Sequence, residues 1–253
     1  MSANSSPLRS VPVRRRLASA AFAAVTCLGF IVGSGTFEHV PASAIEGSPI
    51  DGSIGIWAPL LPELSDAGGA SDSGDSIGTT LELSGHHRFE GFLTSVEGGV
   101  EYGVTDSVEM FAYEFLLRDT WSFAIGELSA GTGFSQMQWD RDWGNREISS
   151  DYIGAKIIGG WETTFGRQPI WIDLKIGLYD FDGRYDDAVN HETISKFTTT
   201  WGVDVKADCD RFGIPMRFVA GVDYLRDMTT WEAGQIGTED AVALTGAVEF
   251  RLK

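Results

Sequence analysis

Residues 169–181, PIWIDLKIGLYDF, restrict the possible folds more than any other stretch of this chain. Ile170, Ile172, Leu174, Ile176 and Leu178 take every second position, and Trp171, Asp173, Lys175, Gly177 and Tyr179 fill the gaps. Successive side chains of a β-strand point to opposite faces, so this spacing sets a purely aliphatic face against a polar face carrying both signs of charge. The alternation recurs in residues 77–84, 92–104, 151–163, 197–207, 214–224 and 242–252. Segments 108–117 and 121–136 are less clean, and the alternation slips near Glu127 and Leu128 in the manner of a bulge.

The charges decide which way such a sheet faces. The aliphatic face carries no Asp, Glu, Lys or Arg in six of these segments, although 22% of the chain is charged. The opposite face holds Glu97, Glu101, Lys156, Glu162, Asp173, Lys175, Asp204, Lys206, Arg217, Asp223, Glu249 and Arg251 among Gly, Ser, Thr and Ala. A Lys or Arg facing lipid near the bilayer midplane costs roughly 2–4 kcal/mol, so in a membrane these charges must line a lumen where opposite signs pair. Segments of this length also match the roughly 9–11 residues a tilted strand needs to cross hydrocarbon. The expected fold is an all-β, antiparallel, up-and-down transmembrane β-barrel over residues 77–253. Eight strands are expected if the first segment belongs to a plug or linker, and ten if 121–136 hides a second strand. Eight would leave a lumen filled by side chains. Trp57, Trp121, Trp161, Trp171, Trp201, Tyr179 and Tyr224 are candidates for the interfacial aromatics.

The remaining regions are read by composition. Arg14, Arg15 and Arg16 precede an apolar run, and Ala42-Ser43-Ala44 offers a small-residue cleavage site, so residues 1–44 read as a secretory signal peptide. Cys27 would leave with it, and Cys209 alone makes no internal disulfide. Residues 45–76, with Pro49, Pro59, Pro62 and LSDAGGASDSGDS, read as a flexible acidic Gly/Ser linker. Within it Asp66, Asp72 and Asp75 read as solvated, and Ile54, Ile56, Trp57, Leu60 and Leu61 as residues that dock elsewhere. The formal charge of -17 becomes -20 without residues 1–44, which carry four Arg and one Glu. So acidic a chain repels nucleic acid and suits cations or basic partners. Brief connections at 165–168 and 208–213 alternate with long acidic ones at 137–150, 182–196 and 225–241, as in outer-membrane barrels.

Two passages resemble a known family, the small outer-membrane β-barrel proteins of diderm bacteria. Residues 102–109, YGVTDSVE, look like the tight turn repeated in such barrels. The final strand, ALTGAVEFRLK, is similar to the terminal assembly signal of that group, with Phe250 and Leu252 as its alternating apolar positions. It departs from the pattern in carrying Ala247 beside Gly246 and in ending on Lys253. The resemblance implies an outer-membrane location, membrane lipid and the barrel-insertion machinery as partners, and no cofactor; a monomer suffices.

Chemistry is sparse. No nucleophile elbow, phosphate loop or metal-ligand spacing occurs. His86 and His87 fall between two segments and read as rim residues. Asp186, Asp187 and His191 form the most catalytic-looking loop cluster, a carboxylate being able to orient a histidine that activates water. The leading function is a structural or surface-interaction barrel. A narrow cation-preferring channel, a soluble lipocalin-like binding barrel and, last, a rim or loop hydrolase are the alternatives.

Overall fold

The computed structural model describes residues 50–66, 71–72, 75–88, 94–124, 126–165, 168–208, 216–232 and 234–252. Residues 1–44, and Cys209 with them, lie outside these. Ten strands form the wall: β1 (Ile50–Leu60), β4 (Gly78–Arg88), β5 (Thr94–Val104), β6 (Val108–Phe123), β7 (Gly126–Trp143), β8 (Arg146–Phe165), β9 (Gln168–Asp186), β10 (His191–Asp208), β11 (Met216–Glu232) and β12 (Gln235–Leu252). Two further pieces, β2 (Leu64–Ser65) and β3 (Ser71–Asp72), pair with each other inside the connection from β1 to β4. Each wall strand is antiparallel to its neighbours, and the order β1-β12-β11-β10-β9-β8-β7-β6-β5-β4 closes on itself. Closure gives every wall strand a ladder partner on both sides, although His191–Thr199 of β10 rises past its pairing with β11, and a ring without an end strand is what lets a sheet with an apolar exterior persist.

The strand count corrects the sequence reading in an instructive place. The barrel has ten strands rather than eight, and the tenth is not hidden in 121–136, where β6 simply turns into β7. It is β1, inside the stretch read as a linker. Ile50 pairs with Leu252 on one side and with Gly85 on the other, and the ladder runs on to Trp57 against Thr245 and Gly78. Gly52, Gly55 and Pro59 interrupt the alternation there, but Ile54 and Ile56 face out while Ser53 and Trp57 face in. Wall strands and small inward residues therefore coexist in a segment whose composition alone suggests coil.

The long acidic connections are also corrected. Residues 137–150, 182–196 and 225–241 continue the ladders as tall hairpins, and the chain reverses only at 144–145, 187–190 and around Gly234. Gly144 has φ +65° and Gly234 φ +90°, the left-handed geometry tight reversals require. In these hairpins the polarity of the two faces inverts: beyond the apolar belt Asp182, Arg184 and Asp186 turn outward to water, while Ile148, Tyr185 and Trp231 are buried inside. One bulge interrupts β11 between Leu225 and Met228, and Asp227 sits at its centre with φ 71°.

Ile50 and Leu252 lie at the same end of the ring, called the terminal end below. The tall hairpins and the β1–β4 connection lie at the far end. His86 and His87 are strand residues, opposite Glu97 and Val96, rather than members of a loop.

Candidate functional site

The lumen is divided into two unlike halves. Toward the terminal end lies a cavity of about 500 Å³. Glu97, Glu101, Lys156, Glu162, Asp173, Lys175, Asp204, Lys206, Arg217, Asp223 and Glu249 all line it, together with Asp51, Glu82, Glu114, Arg118 and Glu127. The Arg251 side chain lies outside the described residues. Carboxylates outnumber cations more than two to one in this lining.

Each cation braces two or more strands. Lys175 on β9 reaches Asp204 on β10 at 2.7 Å and Asp223 on β11 at 3.5 Å. Arg118 on β6 contacts Glu97 at 3.1 Å and crosses the lumen to Asp173 on β9 at 3.3 Å. Lys156 pairs with Glu114. Glu249 takes both Arg217, at 2.8 Å, and Lys206, at 3.4 Å, and the Arg217 guanidinium lies 4.3 Å over the Trp171 ring. Charges held this way offset part of their desolvation cost, and they occupy space that a wide pore would need.

Toward the far end the same wall encloses an apolar core. Trp57, Leu61, Val108, Met110, Trp139, Tyr152, Tyr179, Phe181, Leu225 and Met228 form one buried cluster, with Trp57 and Trp139 rings 5.0 Å apart and Tyr152 against Phe181 at 5.1 Å. Gly103 makes room for it, since a Cβ there would meet the Trp57 ring at 3.0 Å. Above this core the β1–β4 connection turns inward. Leu64 is fully buried with Ile148, Tyr185 and Trp231, and the last two rings stack at 3.5 Å. Arg141 fastens the connection to the wall: its guanidinium donates to the Pro62 carbonyl at 2.6 Å and to the carbonyl and carboxylate of Asp72, each at 2.8 Å. Arg146 holds Asp66 at 3.0 Å. Asp66 and Asp72 are thus structural partners of arginines, not solvated linker acids.

The outer surface carries the aliphatic positions. Ile54, Leu81, Leu174, Ile176, Phe218 and Leu244 are all exposed, and Phe197 is 66% exposed. On β9 the apolar outward run from Ile170 to Leu178 ends at Asp180 and Asp182, which are both exposed. Nine residues at about 3.3 Å each, tilted by about 45°, rise roughly 20 Å, close to the roughly 25 Å apolar band of a membrane barrel. The aromatics divide: Trp121, Trp161 and Trp201 face outward, whereas Trp57, Tyr179 and Trp171 belong to the interior and are not interfacial. Phe250 is outward and 37% exposed; Leu252 pairs in the ladder, and its side chain lies outside the described residues.

Asp186, Asp187 and His191 sit at the tip of the β9–β10 hairpin. Asp187 accepts the backbone N–H groups of Val189 and Asn190, both at 2.7 Å, and the Tyr185 hydroxyl at 2.9 Å. Those bonds hold its carboxyl well below the ordinary carboxylate range, while burial and this bond push the Tyr185 phenol up to about 12. Asp187 is therefore a turn cap. Asp186 and His191 are cross-strand partners joined side chain to side chain, and both are exposed. None of the three lines the lumenal cavity. Among the described residues no group of three or more His, Cys, Asp or Glu is placed to hold a metal ion.

Sequence reasoning missed Asp51, Glu82, Glu114, Arg118 and Glu127. On β6 the inward set runs Met110, Ala112, Glu114, Leu116, Arg118, crossing from the apolar half into the charged one, so neither face looks polar throughout. Counting by twos from Met110 would have found both β6 charges.

No protein-family model matches this chain, and no curated protein matches it either. Solved structures similar to it include the translocator domain of autotransporter NalP from Neisseria meningitidis, with 11% identity over 94% of this chain and 98% of that one and a TM-score of 0.44. Neisserial surface protein A follows at 10% identity, 82% and 98% coverage and TM-score 0.35. The attachment invasion locus protein Ail of Yersinia pestis has 8% identity, 81% and 99% coverage and TM-score 0.30. All three are small outer-membrane β-barrel proteins. At such identities the likeness is silent on what this chain binds.

Proposed function

We propose that this chain is an integral outer-membrane β-barrel that serves as a closed scaffold, presenting its tall acidic hairpins at the far end for contact with cations or basic partners. The observation that carries this reading is the inverted distribution of polarity. Aliphatic side chains cover the outside of a ring without edges, and ion-paired charges line its inside, so lipid is the solvent that suits it. The lipocalin-like alternative needs the opposite arrangement, with apolar residues turned inward along the whole strand.

The aromatic core and the fastened connection weigh against a standing channel, because they occupy the far half of the lumen. At the hairpin tip Asp187 is engaged by its own turn, which weighs against the hydrolase reading. Fractionation of an expressing diderm host, followed by electrophoresis with and without boiling in detergent, tests the scaffold. A membrane-bound band that shifts on boiling is expected, and planar-bilayer recordings of the purified protein should show no steady conductance. A soluble band without a heat shift would overturn the membrane assignment, and a stable open conductance would overturn the closed lumen.

A further inference from the structure

We infer that the terminal half of the lumen is a binding site for a small amphipathic organic cation, an ammonium or guanidinium group joined to a compact apolar body. The cation-recognising element is the pair Glu82 and Glu101. They are directly opposite each other in the β4–β5 ladder, and both face the cavity. Like charges at directly opposed positions repel, so the pair needs compensation. The lumenal cations make their close contacts with other acids, Lys175 with Asp204 and Asp223, Lys156 with Glu114, Lys206 and Arg217 with Glu249, and Arg118 with Glu97 and Asp173, so Lys206 and Lys175 act on Glu82 and Glu101 only from a distance. Among the described residues, Glu82 and Glu101 accept only hydroxyl hydrogen bonds, from Ser53 at 3.3 Å and from Thr80 at 3.1 Å.

The apolar part of the site follows from register. Glu101 lies opposite Ala112, which lies opposite Met137, so the carboxylate pair shares one row of the wall with two apolar cavity residues. The next row toward the far end runs Thr80, Gly103, Met110, Trp139. There Trp57 leans over Gly103, and Trp57 and Trp139 line the cavity where its charged part meets the aromatic core. Ala112 and Gly103 are small, so the wall recedes beside the acids. A second, independent sign of a ligand is Trp139, which lines this cavity, is 4% exposed, and whose indole N–H has no hydrogen-bond partner among the described residues. Buried donors of this kind are normally satisfied, and an acceptor or π-face on a bound molecule would do so. A volume of about 500 Å³ is in the range that holds drug-sized ligands. A cation against paired carboxylates, with its body against two indoles, also combines charge-assisted hydrogen bonding with cation–π attraction.

The probe is phenethylammonium, with 2-phenylethanol as its neutral counterpart, titrated calorimetrically into the full barrel in lipid nanodiscs. Saturable binding of the ammonium compound is expected, with the alcohol at least about tenfold weaker. Glu101→Gln and Glu82→Gln should each weaken the ammonium compound about tenfold, while Asp180→Asn on the outer surface leaves it unchanged. Trp139→Phe, which keeps a ring and removes the N–H, should weaken it less than either Gln variant. Each variant's heat-shifted band verifies that the barrel is folded. Absence of saturable binding, equal binding of amine and alcohol, or unaltered affinity in both folded Gln variants would overturn the inference.

Discussion

The two halves of the lumen share one wall, one strand register and one parity of inward positions, yet their contents are opposites. On β9 the inward set reads Trp171, Asp173, Lys175 and Gly177 in the terminal half, then Tyr179, Phe181 and Tyr185 in the far half. In the first, side chains are held by ion pairs around a cavity. In the second they pack as a globular core does, leaving a space of only about 10 Å³ between Leu61, Val108, Trp139 and Met228. The lesson is that a barrel wall does not dictate what it encloses. Lipid constrains only the outward positions, and the inward ones are free to build either a site or a seal.

The largest expected effect comes from attacking the seal. Trp57→Ala removes a side chain that is 1% exposed and packed on Trp139, and it should lower stability by about 3–5 kcal/mol, read as an earlier midpoint in urea unfolding from lipid. A loss under about 1 kcal/mol would mean the far half is not packed like a core. Arg141→Ala should come next, at about 2–3 kcal/mol, since three acceptors on residues 62 and 72 lose a charged donor. Its distinguishing sign is faster proteolysis within residues 61–77 while the heat-shifted band survives. In the charged half, Lys175→Met leaves Asp204 and Asp223 without their shared cation, at a cost of roughly 1–3 kcal/mol, softened by water in the cavity. If that variant proved as damaging as Trp57→Ala, the two halves would be energetically alike and the contrast would fail.

The smallest effect lies outside both halves, at the β9–β10 tip. Asp187 is held below the ordinary carboxylate range by turn hydrogen bonds, so its contribution is fully present above the unfolded carboxylate value near 3.9 and is lost as pH falls through the lower folded value. Amide exchange at Val189 and Asn190 should therefore stay protected at pH 5 and quicken only under strong acid. Loss of protection already at pH 5 would show that the cap does not form.

Much of the wall was legible beforehand because lipid enforces strict alternation outside. Segments 151–163 and 169–181, and 94–104 of the segment 92–104, lie within strands of the structure for that reason. The inward charges could be assigned to a shared face by the same parity. What escaped was whatever the belt does not control. β1 was hidden by Gly52, Gly55 and Pro59, although Ile54, Ile56 and Trp57 already obey the rule. The tall hairpins were hidden because beyond the belt the two faces exchange polarity, with Asp182 and Arg184 turned outward and Tyr185 inward. The seal was hidden because an apolar inward residue such as Met110 or Tyr179 looks, in one dimension, like an error in the alternation.

The meeting of Ile50 with Leu252 bears on the order of events during biogenesis. Hairpins such as β8–β9 involve neighbours in sequence and can form as soon as both strands are available, but the closing seam joins the first strand of the ring to the last. Until β12 arrives, β1 keeps a raw edge open to any passing strand. The connection that fills the far half runs from that first strand to its neighbour β4, but the residues that grip it, Arg141, Arg146 and Trp231, sit on β7, β8 and β11, so the stopper is fully seated only in the closed ring. Maturation of this barrel thus culminates in a single irreversible-looking clasp, and a chain halted one strand short is an open, unstoppered sheet.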